Sequence, residues 1–335
     1  MNFYKILVIN CLTVVSLSCN GQTDKKNNLK MTNNTTSKNP LLCDPETGVC
    51  GMPETNEASG TIVEKTEKSV KVVYFTDPIC SSCWGIEPQL RKLKLEYGND
   101  IEVEYHMGGL LPDWSYNSGG ISKPSDVAHH WDEVSVYYDM PIDGDVWLED
   151  PLNSSYPPSI AFKAAQLQDK EKAILFMREL RELVFLKKKN IAKWEHIAAA
   201  AQKVGLDTNQ LKTDFEGNAK TLFENDLKLA REYGVRGFPT MFFVNDGGKK
   251  EMVYGTKPYP FYETAVLTIN PKAEKIDFAK DWESLFKKYN SLTAKEFTEL
   301  SGTNRKDSER VLNELTSKGK LEKLTTKNGT LWTKI

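Results

Sequence analysis

Short, densely apolar runs lie near the two ends of the middle part of this chain, and helical periodicity fills the space between them. Val70 to Phe75 reads as a strand rich in β-branched and aromatic residues, and Ile101 to His106 alternates as a second. Gly234 to Val244 and Met252 to Gly255 read as two more strands, joined by a turn at Asn245 to Gly248. A helix is expected from Cys80 to about Tyr97, with Ile86, Leu90, Leu93 and Leu95 on its apolar side. Pro124 through Tyr156 reads as loop-rich, and Pro157 to Tyr233 as three or four helices with breaks at Gly205 and Gly217. A closing helix spans about Pro260 to Ile269. The pattern is that of an α/β domain with an inserted α-helical subdomain.

Beyond Pro271 the pattern changes. Asp277 to Tyr289, Thr293 to Ser301 and Asp307 to Lys318 read as helices, and Lys320 to Thr325 with Thr330 to Ile335 as a hairpin through Lys327-Asn328-Gly329. That order resembles a winged helix, a small α+β unit. From Lys272 to Ile335 there are 14 Lys and Arg against 10 Asp and Glu, a mild excess that also suits an ordinary solvated surface. Protein contact or packing is the expectation for this unit, and nucleic acid is not an expected partner.

The first residues have a different character. Lys5 precedes the apolar run Ile6 to Leu17, too short for a span and of the right length for an export signal. It ends at Leu17-Ser18-Cys19, which resembles a bacterial lipoprotein processing site with Cys19 as the lipidated residue. Ser16 stands where the usual motif has leucine. The address expected from this run is the cell envelope, periplasm-facing or at the surface, with the membrane reached through a lipid anchor. Residues 20–66, rich in Asn, Thr, Ser, Lys and Glu, read as a flexible tether. The organisation is then a signal peptide at 1–19, the tether at 20–66, the α/β domain at 67–270 with its helical insertion at about 124–233, and the C-terminal unit at 271–335. A chain of 335 residues, 39% hydrophobic and 27% charged with net charge −2, can bury a substantial core and carries no whole-chain basic signal.

Cysteine spacing carries the chemistry. Cys11 and Cys19 belong to the leader, and the other four form two close pairs, Cys43/Cys50 and Cys80/Cys83. Cys80 and Cys83 sit where a strand gives way to a helix, and the unpaired N–H groups of a helix start favour a thiolate, so Cys80 is expected to be the acidic thiol and Cys83 the resolving one. Cys43 and Cys50 flank a Pro/Gly turn in the tether. A structural disulfide, a second redox pair and a metal site all remain open for them. His129-His130-Trp131 lacks ligands at a fixed spacing, so no metal or other cofactor is expected there. The aromatic residues between Trp114 and Tyr156 read more naturally as core than as a groove.

Asp77-Pro78-Ile79-Cys80-Ser81-Ser82-Cys83-Trp84 after a strand, Met107-Gly108-Gly109-Leu110-Leu111-Pro112 after the next, a helical insertion, and Gly234-Val235-Arg236-Gly237-Phe238-Pro239-Thr240 before a strand resemble the DsbA family of thioredoxin-fold oxidoreductases. The similarity is to its FrnE-like branch, which also resembles the adaptor proteins called SpxH, and it covers about residues 68 to 270. The resemblance implies a thioredoxin-like fold, Cys80 as attacking cysteine, Cys83 as its buried partner, and Pro239 as a cis-proline facing the disulfide. Trp84 and Phe238 are the substrate-contact candidates. The expected function is an exported protein thiol:disulfide oxidoreductase, acting on protein substrates together with an unidentified redox partner. The alternative is a thioredoxin-fold adaptor or binding protein without redox turnover.

Overall fold

The computed structural model describes residues 68–115 and 122–335. The leader with Cys19 and the tether with Cys43 and Cys50 lie outside them. The described residues form one compact unit.

β1 (Val70–Thr76) is buried at six of its seven positions, as befits a central strand covered on both faces. Its chain passes through a turn into α1 (Ser81–Gly85) and α2 (Glu87–Glu96). The single helix expected from Cys80 to Tyr97 is thus two, parted at Ile86; Pro88, in the first turn of α2, has no N–H to bond back to the turn before it. β2 (Ile101–Met107) returns parallel to β1, while β3 (Thr240–Val244) and β4 (Lys250–Tyr254) complete an antiparallel half, in the order β2-β1-β3-β4. Residues 234–239, expected as strand, are irregular and hold the cis Phe238–Pro239 bond.

Between β2 and β3 lies the helical insertion. The stretch from Pro124 to Tyr156, expected as loop, contains α3 (Pro124–Tyr138) and α4 (Val146–Glu149). Pro124 opens α3, the Asp126 carboxylate accepts the Lys123 N–H at its first turn, and Val127, Ala128, Trp131 and Ser135 form its buried stripe. With few aliphatic residues, that stripe is easily missed. Five helices follow: α5 (Tyr156–Gln168), α6 (Lys170–Leu186), α7 (Trp194–Lys203), α8 (Thr208–Glu216) and α9 (Asn218–Glu232). α10 (Tyr259–Ile269) closes the sheet domain.

The C-terminal residues form α11 (Trp282–Lys288), β5 (Ser291–Thr293), α12 (Ala294–Ser301), α13 (Arg305–Ser317), β6 (Leu321–Thr326) and β7 (Gly329–Lys334). The first helix starts later than expected, at Trp282 after an Asp281 cap, and β5 is an additional strand that pairs antiparallel with β7 to give the order β5-β7-β6. This small sheet joins two cores. On β7, Leu331 packs with the thioredoxin-like core and its neighbour Trp332 with Leu285, Phe297 and Leu312 of the C-terminal core, because successive strand residues face opposite ways.

Candidate functional site

β1 delivers Asp77, Pro78, Ile79 and Cys80 to the end of the sheet. Cys80 is the N-cap of α1, with extended backbone, and its Sγ accepts the Cys83 N–H at 3.1 Å. Cys80 and Cys83 form a disulfide with Cα atoms 5.1 Å apart. Both are buried, Cys80 with 4% of its surface exposed and Cys83 with none. Ser82 and Tyr138 share a hydrogen bond of 2.7 Å, which ties α1 to α3. The Tyr138 ring also covers Gly85, where an added Cβ would meet it at 2.6 Å.

Beside Cys80 opens a cavity of about 290 Å³, walled by Ile79, Leu110, Trp114, Trp131, Trp147 and Phe238. Trp147 anchors the wall by edge-on contacts with Trp114 and Trp131, at 5.9 and 5.2 Å between ring centres. The Phe238 ring lies against Gly108 so closely that a Cβ there would approach it to 2.0 Å, so this position requires glycine. Pro239 leads into β3, whose Thr240 pairs with Phe75 of the strand that carries Cys80, and its carbonyl accepts the Gly255 N–H.

Of the two expected contact residues, Phe238 lines the cavity and Trp84 does not. Trp84 is fully buried, stacks on Phe185 at 5.6 Å, donates its indole N–H to the Pro141 carbonyl and lies under the Arg178 guanidinium at 4.4 Å. It cannot meet a partner in this structure. Trp131 and Trp147, read from sequence as core, are core and cavity wall together.

Sequence reasoning also passes over Asp77, whose Asp-Pro pair reads as a turn signal. Its carboxylate is wholly buried and accepts hydrogen bonds from the Ile79 and Leu110 N–H groups and the Ser155 hydroxyl at 2.8–3.0 Å. Burial pushes its pKa up to about 6, against those bonds and the pull of Arg181.

Arg181 belongs to a buried ionic network behind the disulfide turn. It reaches Glu87 at 2.5 Å and the Thr76 hydroxyl at 2.7 Å. Arg178 pairs with Glu182 at 2.8 Å and Glu296 at 2.7 Å, and Arg91 reaches Glu296 at 3.2 Å and the Ser291 carbonyl at 2.9 Å. Glu296 also closes a capping box on α12 by accepting the Thr293 N–H. These contacts hold α2 and α6 of the thioredoxin-like domain to β5 and α12 of the C-terminal unit.

A family model described as Thioredoxin matches residues 74–264. ClpXP adapter protein SpxH of Halalkalibacterium halodurans is 33% identical over 305 residues, which cover 88% of this chain and 97% of that protein. SpxH of Bacillus subtilis is 28% identical over 271 residues, with 79% and 89% covered. Among solved structures, a putative protein disulfide isomerase from Nitrosomonas europaea is similar with TM-score 0.51 and 20% identity, over 61% of this chain and 96% of that one, a likeness of fold. These relatives correct the functional expectation. The Cys80/Cys83 motif leads one to expect an exported thiol:disulfide oxidoreductase, but the relatives that match nearly end to end are named as adapters. The oxidoreductase-like fold stands, and the chain belongs to the thioredoxin family, in the DsbA-like branch that includes the SpxH adapter proteins.

Proposed function

We propose that this chain is a thioredoxin-fold adaptor that holds a protein client and presents it for degradation, a reading that starts from the name ClpXP adapter protein carried by its relatives. The observation that carries the reading is the extent of the similarity: 33% identity over 88% of the chain goes beyond the span of a thioredoxin-like domain alone. The site geometry supports it. A cavity walled by three tryptophans and Phe238 suits an apolar client side chain, and a disulfide with 4% and 0% exposure can shape that surface without turning over. We read residues 271–335 as a winged-helix-like unit on their order of helix, strand, two helices and hairpin, and as a second protein-contact surface.

Protein turnover in cells is the test. Deleting the chain should lengthen the lifetime of one or a few specific proteins, as read by pulse-chase mass spectrometry. Wild type and the Cys80→Ser/Cys83→Ser double variant should both restore degradation, whereas Phe238→Asp should not. No change in any lifetime, or rescue that demands both cysteines, would overturn the adaptor reading. The membrane address is a separate proposal, with Cys19 as the lipidated residue and the chain at the cell envelope, and it requires the client and the protease that receives it to lie on the same side of the membrane. Incorporation of labelled palmitate that is lost in Cys19→Ala checks it.

A further inference from the structure

A second cavity, of about 350 Å³, lies on the far side of α2, between that helix, β2, α6, the end of α7 and the segment from Lys288 to Ser291. Taking about 30 Å³ for each water, it has room for a small organic molecule. Leu90, Ile174, Leu175, Met177 and Val204 give it an apolar wall. Its charged residues are mostly engaged: Lys203 with Glu179 at 2.7 Å, Arg178 with Glu182 and Glu296, and Arg91 with Glu296.

Lys94 differs from these. Its Nζ donates to the Tyr105 hydroxyl at 2.6 Å, and among the described residues no carboxylate lies within 4.0 Å of it. Burial lowers its pKa to about 8, so the amine still carries its charge at neutral pH while having lost much of its hydration. Tyr105 is 6% exposed and is held well above the ordinary phenol range, mainly by burial, so it keeps its proton. Its oxygen accepts from Lys94, and among the described residues nothing accepts the hydroxyl proton in return. A partly desolvated ammonium and a buried O–H thus stand side by side without an anion, and a buried donor left unpaired is costly.

We propose that this cavity binds an aliphatic monocarboxylate, the carboxylate held by Lys94 Nζ and the Tyr105 hydroxyl and the chain lying against Leu90, Ile174 and Val204. Lys94, the partly buried cation without a carboxylate partner, and one free O–H match a single negative charge, Lys288 of the lining being exposed to solvent, and the apolar wall selects a hydrocarbon body over a hydrated phosphate. The site is separate from the Cys80 cavity, so it does not rest on the adaptor reading.

Calorimetric titration of the full chain with hexanoate, hexanamide and inorganic phosphate tests the inference. Hexanoate should bind one site per chain, at least about tenfold more tightly than hexanamide, the factor that ~1.4 kcal/mol of charge-assisted hydrogen bonding carries. Lys94→Met and Tyr105→Phe should each weaken hexanoate, Lys94→Met the more. Leu175→Trp, at a position 55% exposed where folding is spared, should block the cavity and abolish uptake with Lys94 in place. The absence of saturable hexanoate binding, equal binding of hexanamide, preference for phosphate, or binding that survives both Lys94→Met and Leu175→Trp would each overturn it.

Discussion

Asp77 and Glu296 are both carboxylates with no measurable exposure, but the chain keeps them charged by different means. Around Glu296, burial alone would favour the neutral acid, but Arg178 and Arg91 outweigh it and hold the pKa below the usual carboxylate range. Asp77 has neutral N–H and O–H donors at its oxygens and only the more distant pull of Arg181, and its pKa rises to about 6. Ion pairing fixes the joint between α2, α6 and α12 in one protonation state at neutral pH. Dipoles alone leave the carboxylate three residues before Cys80 able to take up a proton close to neutrality.

The two regions should therefore answer acid with opposite signs. Glu296, with its folded pKa depressed, contributes stability that is present above about pH 4.5 and lost as pH falls further. Asp77, with its folded pKa raised from 3.8, contributes stability that is fully present below that value and lost as pH rises through about 6.

The sharpest way to break the contrast is Glu296→Gln, which keeps the cap acceptor and removes the charge. It leaves Arg178 with Glu182 alone and Arg91 with Glu87 and the Ser291 carbonyl, and should cost about 2–3 kcal/mol in urea unfolding. A loss below about 1 kcal/mol would mean that the network is not the joint. Next comes Asp77→Asn, compared with wild type by urea unfolding between pH 4 and 8. Wild type should lose ground against the variant across that range by about 3 kcal/mol at most, since each tenfold difference in proton affinity between the folded and unfolded chain is worth ~1.4 kcal/mol. Parallel curves would contradict the raised pKa.

Ser155→Ala removes one of the donors to Asp77 and should move the carboxyl titration further upward, followed by carbon NMR, at a stability cost of about 1 kcal/mol at neutral pH. Lys327→Ala is the exposed control. Its pairs with Asp132 and Asp145 lie at the surface and should contribute under about 1 kcal/mol, with a salt dependence that Glu296→Gln does not show.

The parts of this molecule that read directly from sequence are those whose signal is local. β1 carries the apolar run Val72 to Phe75, and Cys80 and Cys83 sit at its exit. The β6–β7 hairpin turns through Asn328-Gly329, and Pro239 opens β3. What escapes depends on partners far along the chain. Glu296 looks like one more charge on an amphipathic helix, and only Arg178, 118 residues away, and Arg91 place it in the interior. Asp77 reads as the start of a turn until Leu110 and Ser155 close on it. Trp84, beside the cysteines in sequence, faces inward because Phe185 and Arg178 of α6 pack against its ring. β5 has three residues, too few to show alternation, and exists by pairing with β7.

The tip of the β6–β7 hairpin bears on how the molecule is made. Lys327 grips Asp132 and Asp145, and Asn328 donates to Asp132 and to the Ile142 carbonyl, across sequence separations of 182 to 196 residues. At about 5–20 residues per second of synthesis, roughly 10–40 s pass between the making of α3 and α4 and the arrival of the side chains that clasp them. During that interval the nascent helices hold Asp132 and Asp145 without their cation, and the edge of β7 to which β5 pairs does not yet exist. The disulfide end of the sheet waits as well, because β1 pairs with β3 across 165 residues (Phe75 with Thr240), so both ends of the molecule are completed only after most of its length has been made.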